Sequence, residues 1–214
     1  LNSSKKDFLI HTNSPWSEKK NFWNLYKKGH TPWEWHKKLF AEAKKNKIEI
    51  FSSPFDETAV DLLEKLGCKA YKIASPEITH IPLITKVAKT GKPIIISTGL
   101  AKIDDLTNAI RAVRKAGNNK IIILKCTSAY PAPLEELNLK TIKDISKKFK
   151  VHVGFSDHSI GNIAAITAVA LGAKIVEKHF KLKNNKSIDS FFSADKSNFV
   201  DLISNIRKVE KNIG

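Results

Sequence analysis

His158 and His179 are the residues whose type and spacing point most directly to chemistry. His158 closes the run Val151-His152-Val153-Gly154-Phe155-Ser156-Asp157-His158, and His179 stands near the end of Ala173-Lys174-Ile175-Val176-Glu177-Lys178-His179-Phe180. Both runs read as buried parallel strands, with one helical pattern, Ile160 to Leu171, between them. Neighbouring parallel strands lie about 5 Å apart, so two imidazoles at matching C-terminal ends are placed to share one metal ion. In α/β sheets and barrels that end of the strands carries the active site. Two imidazoles completed by water or carboxylate oxygens suit Mn²⁺, Fe²⁺ or Zn²⁺. The alternative for each histidine alone is a core or surface ring satisfied by hydrogen bonds. His11, His30, His80 and His152 have no comparable company and read as structural or solvated.

The other strand-like runs end on small polar groups: Ser52-Ser53-Pro54-Phe55-Asp56, Lys72-Ile73-Ala74-Ser75, Ser97-Thr98-Gly99, and Cys126-Thr127-Ser128-Ala129-Tyr130-Pro131. Short hydroxyls, free backbone N–H groups and the ammonium of Lys72 make a cradle for phosphate or carboxylate. Any one of these serines reads equally as a strand cap; their recurrence at five strand ends is what favours anion binding. Lys72 has a second reading, as the Schiff-base lysine of a class I aldolase.

The elements that must position these groups are regular from residue 46 onward. Strand-like runs at Lys47–Ser53, Lys69–Ala74, Pro93–Ser97, Lys120–Cys126, Val151–Ser156 and Lys174–His179 start 22 to 31 residues apart, the length of a βα unit. Helical periodicity fills Asp56–Leu66, Ile81–Thr90, Ile103–Ala116, Asn138–Phe149 and Ile160–Leu171, and an amphipathic segment covers Lys196–Ile213. Gly67, Gly117 and Gly172 stand where helices should stop. The strands are continuously apolar, as when both faces are covered. Six successive βα units predict an α/β chain with six-eighths of a TIM (β/α)₈-type barrel over 46–214; the runner-up is an open doubly wound sheet. No Rossmann or Walker glycine fingerprint is present. Residues 1–45 differ: they are aromatic-rich and predict a loop and helix flanking the barrel, with Thr31-Pro32-Trp33-Glu34 as the helix start. Trp33, Trp35 and His36 read equally as packing residues or as determinants of substrate choice.

Composition narrows the class. The 214 residues are 42% hydrophobic, which is globular. No apolar run approaches about 18 residues, so no membrane span is expected. The start carries no secretory h-region, and the sequence contains no Met, so the chain is expected to be part of a longer gene product. Two cysteines, Cys68 and Cys126, make no disulfide framework, and a reducing cytoplasm is expected. The net charge of +16 rests on lysines scattered over helices and loops, with only Arg111, Arg114 and Arg207 as arginines. Base reading prefers Arg and a recognisable motif, so nucleic acid is not an expected partner; an anionic small substrate gains from the same field.

Taken together, Ser52-Ser53-Pro54-Phe55-Asp56, Tyr71-Lys72-Ile73-Ala74-Ser75, Gly91-Lys92-Pro93-Ile94-Ile95-Ile96-Ser97-Thr98-Gly99, Cys126-Thr127-Ser128-Ala129-Tyr130-Pro131, Gly154-Phe155-Ser156-Asp157-His158 and Glu177-Lys178-His179-Phe180 resemble the sialic acid synthase (NeuB) family, in the family's order. Within it, Thr31-Pro32-Trp33-Glu34-Trp35-His36 and Leu124-Lys125-Cys126-Thr127-Ser128 look most like the pseudaminic acid synthases. The resemblance implies a TIM barrel that condenses phosphoenolpyruvate with an N-acetylated amino-sugar aldehyde and releases phosphate. It implies a divalent metal, typically Mn²⁺ with Mg²⁺ or Co²⁺ as alternatives, held by His158 and His179. Ser53, Lys72, Ser75, Ser97, Ser128 and Ser156 match phosphoenolpyruvate-binding positions, and Tyr130 and Asp189 match positions near the sugar. Lys72, Ser156, His158 and His179 are the expected catalytic group, in a cytoplasmic enzyme whose barrels pair as homodimers. N-acetylneuraminate and legionaminate synthases share this chemistry. The family's first two βα units, with a glutamate-containing segment and a substrate lysine, have no counterpart here. Nor has its C-terminal antifreeze-like domain, which lends an arginine to the partner's sugar site. The expectation is a chain that holds the metal site and much of the phosphoenolpyruvate site without catalysing alone; a non-catalytic phosphate- or glycan-binding barrel fragment is the alternative of another class.

Overall fold

The computed structural model describes residues 6–184 and 186–214. Its contacts divide the chain into two compact units, Leu1–Ile48 and Glu49–Gly214. The first holds α1 (Phe22–Gly29) and α2 (Trp33–Lys45). Asn21 caps α1 through its side chain, which accepts from the Asn24 N–H at 2.9 Å. Pro32 occupies the cap of α2, so Thr31 lies outside the helix by one residue from the expected start. Trp23, Tyr26, Trp33 and Trp35 are exposed.

The second unit alternates helix and strand: α3 (Glu57–Lys65), β1 (Tyr71–Ile73), α4 (Ile81–Lys89), β2 (Ile94–Ser97), α5 (Ile103–Lys115), β3 (Ile121–Cys126), α6 (Thr141–Phe149), β4 (His152–Asp157), α7 (Ile163–Ala170), β5 (Val176–Lys178) and α8 (Lys196–Ile213). Every strand pair is parallel, and the order in the sheet is the order in the chain, β1-β2-β3-β4-β5. A doubly wound sheet reverses direction at a switch point; the unbroken progression excludes it. Each crossover steps the same way, as in a barrel.

Local chemistry explains the elements. Ile94-Ile95-Ile96 and Ile121-Ile122-Ile123 are β-branched runs suited to a pleated surface buried on both sides. Outward-facing Tyr71, Ile73, Ile94, Ile96, Ile123, Val153 and Phe155 are buried, as are Leu83, Ile84 and Val87 of α4, Leu106, Ile110 and Val113 of α5, and Ala164 and Ala168 of α7. Asp56 caps α3 and Asp195 caps α8, each side chain accepting from a backbone N–H three residues on. Gly67, Gly117 and Gly172 take positive φ just past α3, α5 and α7, as their positions predict.

The expected first strand, Lys47–Ser53, is reduced to a single parallel bridge between Ser52 and Tyr71. It pairs with β1 on one side only, and Pro54 follows immediately, removing the next donor. At the opposite edge Phe180 bridges Ala194, so the segment before α8 adds a partner the periodicity does not announce. The sheet is strongly curved. Four strand spacings of about 4.8 Å would put β1 and β5 about 19 Å apart if flat, beyond the joint reach of two side chains. Yet Lys72 Nζ of β1 lies 2.8 Å from Glu177 Oε1 of β5. Among the described residues, no helix is long and apolar enough to cross a membrane.

Candidate metal and anion site

Strand alternation delivers the polar groups to one place. On β4, Ser156 and the following His158 face the concave side, and on β5 Glu177 and His179 do the same, because Ser156 and Glu177 are register partners. The imidazole centroids of His158 and His179 are 5.3 Å apart, with the ring planes at 73°. His158 Nδ1 donates to the Thr127 carbonyl at 3.0 Å, which leaves Nε2 as its lone-pair nitrogen. His179 Nδ1 stands 3.5 Å from Asp189 Oδ2, so the second ring turns the same edge to a carboxylate. Orientation of one ring nitrogen by a carbonyl or carboxylate is the usual support for a metal-binding histidine. Tyr130 lies 4.3 Å from the His158 ring and Phe192 lies 4.7 Å from the His179 ring, so aromatic walls flank the pair.

The neighbours set the two rings apart electrostatically. Burial opposes a charge on His158, but the Cys126 thiol 3.9 Å from Nδ1, the Thr127 carbonyl and Glu177 outweigh it and hold its pKa above the usual value. Burial and the charge on His158 push His179 below the usual value. Burial likewise opposes ionisation of Glu177, and the Lys72 ammonium overcomes it.

The anion cradle begins one strand end away. Lys72, 9% exposed, contacts both Glu177 oxygens at 2.8 and 2.9 Å, and the Ser156 hydroxyl donates to Oε1 at 2.7 Å. Gly99 N–H donates to Ser75 Oγ at 2.9 Å. A Cβ on Gly99 would lie 2.1 Å from Ser128 Oγ, 2.9 Å from Ser75 Oγ and 3.0 Å from Cys126 Sγ, so glycine is what lets these groups converge. The Ser97 hydroxyl is buried with no hydrogen-bond partner among the described residues. An orphaned buried hydroxyl is costly unless something binds it. Ser53 follows the Ser52 bridge at the sheet edge, at the same end of the strands. Thus Lys72, Ser75, Ser97, Ser128, Ser156, His158 and His179 lie at one end of the strands, with Tyr130 and Asp189 beside the histidines.

Four further residues belong to this edge. Glu177 is findable from alternation alone, since it precedes His179 by two as Ser156 precedes His158. Cys126, expected as a small buried hydrophobe, is buried and directs its sulfur at His158. Phe192 has no periodic signal. Glu77, two residues past Ser75, has one buried oxygen without a hydrogen-bond partner among the described residues, and burial raises its pKa.

No group of three or more His, Cys, Asp or Glu gathers among the described residues in a way that could hold a metal. A closed four-ligand structural site is therefore not built here. Two available imidazole nitrogens fit an ion that keeps open positions for oxygen ligands. Lys72 is held against the Glu177 carboxylate and beside hydroxyls, not in the apolar pocket that suits a Schiff-base lysine.

The chain has close relatives. Pseudaminic acid synthase of Helicobacter pylori is 45% identical over 211 residues, a match covering 97% of this chain and 61% of the relative. N,N'-diacetyllegionaminic acid synthase of Campylobacter jejuni is 43% identical over 182 residues, covering 84% of this chain and 54% of the relative. The crystal structure of N-acetylneuraminic acid synthetase from Leptospira borgpetersenii in complex with citrate superposes with a TM-score of 0.85 at 31% identity, covering 89% of this chain and 67% of that one. The chain spans about three fifths of the length of the pseudaminic acid synthases it matches. The family model for NeuB matches residues 1–214, and by this match, the relatives and the barrel-type sheet, the chain belongs to the NeuB family.

Proposed function

We propose that this chain forms the phosphoenolpyruvate- and metal-binding part of a nonulosonate synthase of the pseudaminic type. The reaction joins the methylene carbon of phosphoenolpyruvate to the aldehyde carbon of an N-acetylated amino sugar; water adds at C2, and C–O cleavage expels phosphate. The observation that carries the reading is the placement of a lysine–hydroxyl cradle beside two imidazoles whose ring centroids stand 5.3 Å apart. The Lys72 ammonium and the hydroxyls of Ser75, Ser97, Ser128 and Ser156 bind the phosphate and carboxylate and hold the enol carbon in one orientation. Glu177 keeps Lys72 and Ser156 aimed while the cradle is empty. His158 and His179 would hold the divalent ion, Mn²⁺ by preference, which when bound supplies electrophilic polarisation of the sugar aldehyde. Tyr130 and Phe192 screen that position from bulk water, and Asp189 orients His179. The sugar preference follows the pseudaminic relatives, with the legionaminate and neuraminate types as the nearest alternatives. A cytoplasmic location and a homodimer belong to the same proposal.

The test is Mn²⁺ binding followed by water-proton relaxation in the wild type, His158→Ala and His179→Ala. Each substitution is expected to weaken binding at least about tenfold, the cost of one lost donor; unchanged affinity overturns the assignment. Phosphate release with each candidate sugar, in the gene product that contains this chain, then identifies the substrate.

A further inference from the structure

Behind the two histidines, on the opposite face of β4 and β5, lies a closed polar ring with no evident part in binding. Lys178 Nζ is 2.7 Å from Asp157 Oδ2, and the two side chains are 3% and 0% exposed. Asp157 Oδ1 accepts from the Ser159 N–H at 2.8 Å and from its hydroxyl at 2.6 Å. Lys178 Nζ also donates to the Ser159 carbonyl at 2.9 Å. The surroundings are apolar, with Phe155 on the same face of β4 and Ala164 and Ala165 of α7 buried.

A buried ion pair is poor evidence for stability, since apolar residues of similar size often serve as well; its best-attested use is to fix register. Its position here is suited to that. Asp157 and Lys178 are Cα partners on the last rung joining β4 to β5. His158 and His179 are the next residue on each strand. His158 is enclosed by the ring in sequence, with Asp157 before it and Ser159 after it. One salt bridge and one hydrogen bond from Lys178 therefore clamp the two backbones where the ladder gives out, and two hydrogen bonds from Ser159 hold the Asp157 carboxylate in place.

We propose that Asp157 and Lys178 are a positioning pair, with Ser159 as their tie, that fixes the spacing and orientation of the His158 and His179 rings. The pair touches neither phosphoenolpyruvate nor the ion; it acts through the histidines. The inference rests on the metal reading only for its second readout.

The experiment compares wild type with the Asp157→Leu/Lys178→Met double variant, which removes both charges and strands neither. Imidazole ¹⁵N–¹H spectra report tautomer, and ring-to-ring cross-peaks report spacing, without any metal present. Wild type is expected to show both rings in one tautomer with Nδ1 protonated and in mutual contact. The double variant should unfold at a similar temperature yet show averaged tautomers and lose the contact. Mn²⁺ affinity should fall at least about tenfold in parallel. If the double variant keeps single tautomers and the ring contact, the proposal is overturned. If the rings respond but the wild type binds no Mn²⁺, the positioning role stands and the metal reading falls. Should the double variant not fold, Asp157→Asn/Lys178→Met, which also removes both charges and keeps an acceptor for Ser159, is judged by the same spectra.

Discussion

Gly99 sets the tightest constraint at the residue scale. A methyl there would meet Ser128 Oγ at 2.1 Å and Ser75 Oγ at 2.9 Å. Gly99→Ala is therefore expected to abolish phosphate and phosphoenolpyruvate binding while leaving the unfolding temperature within a few degrees, as followed by calorimetric titration and thermal melting. Retained affinity would place the anion elsewhere. Lys72 and Glu177 belong to the same scale. Replacing Glu177 by Gln removes the charge that orients Lys72, and a charge-assisted contact is worth about 1.5–3 kcal/mol. Weaker phosphoenolpyruvate binding in Glu177→Gln, with Mn²⁺ affinity little changed, is the expected pattern. The histidines, Lys72 and the serines were legible because strand-end chemistry repeats along the chain. Phe192 was not, since it stands in a segment without periodicity and meets His179 only through the fold.

The elements follow from pattern where pairing is double-sided and depart from it at the edges. Internal strands such as Ile121–Cys126 match their apolar runs within a residue. The run at Lys47–Ser53 is less apolar, with Ile48, Ile50 and Phe51 alone, and among the described residues it pairs only through the Ser52 bridge. Ala194 shows the converse: no strand-like run marks it, yet its N–H donates to the His179 carbonyl and its carbonyl accepts from the Lys181 N–H. Helix ends are set by local chemistry that sequence states openly. At α3 the Asp56 carboxyl accepts from the Thr58 hydroxyl and the Ala59 N–H, and these hold its pKa below the usual value. A depressed carboxylate pKa contributes stability above the unfolded-state value, which is lost as pH falls through the folded-state value. Asp56→Ala is thus expected to cost about 1 kcal/mol at neutral pH. The difference from wild type should shrink below about pH 4, as measured by denaturant unfolding across that range.

At the scale of the whole molecule, two properties bear on the site. Sequential strand order and curvature bring β1 and β5 within side-chain reach, so a cradle assembled from strand ends 105 residues apart in sequence exists only in the folded sheet. The net charge of +16 surrounds it with a field that draws in anions. Phosphoenolpyruvate affinity is therefore expected to fall several-fold as ionic strength rises from about 0.01 to 0.15 M, over which the screening length contracts from about 30 to 8 Å. Salt-independent affinity would mean that only the local contacts matter. The most direct measurement is calorimetric titration of phosphoenolpyruvate into the wild type and Lys72→Ala, each with and without Mn²⁺. The expected result is one-site binding that Mn²⁺ strengthens and Lys72→Ala weakens at least about tenfold. No binding in the wild type, or binding indifferent to Lys72→Ala, would contradict a phosphoenolpyruvate cradle at these strand ends.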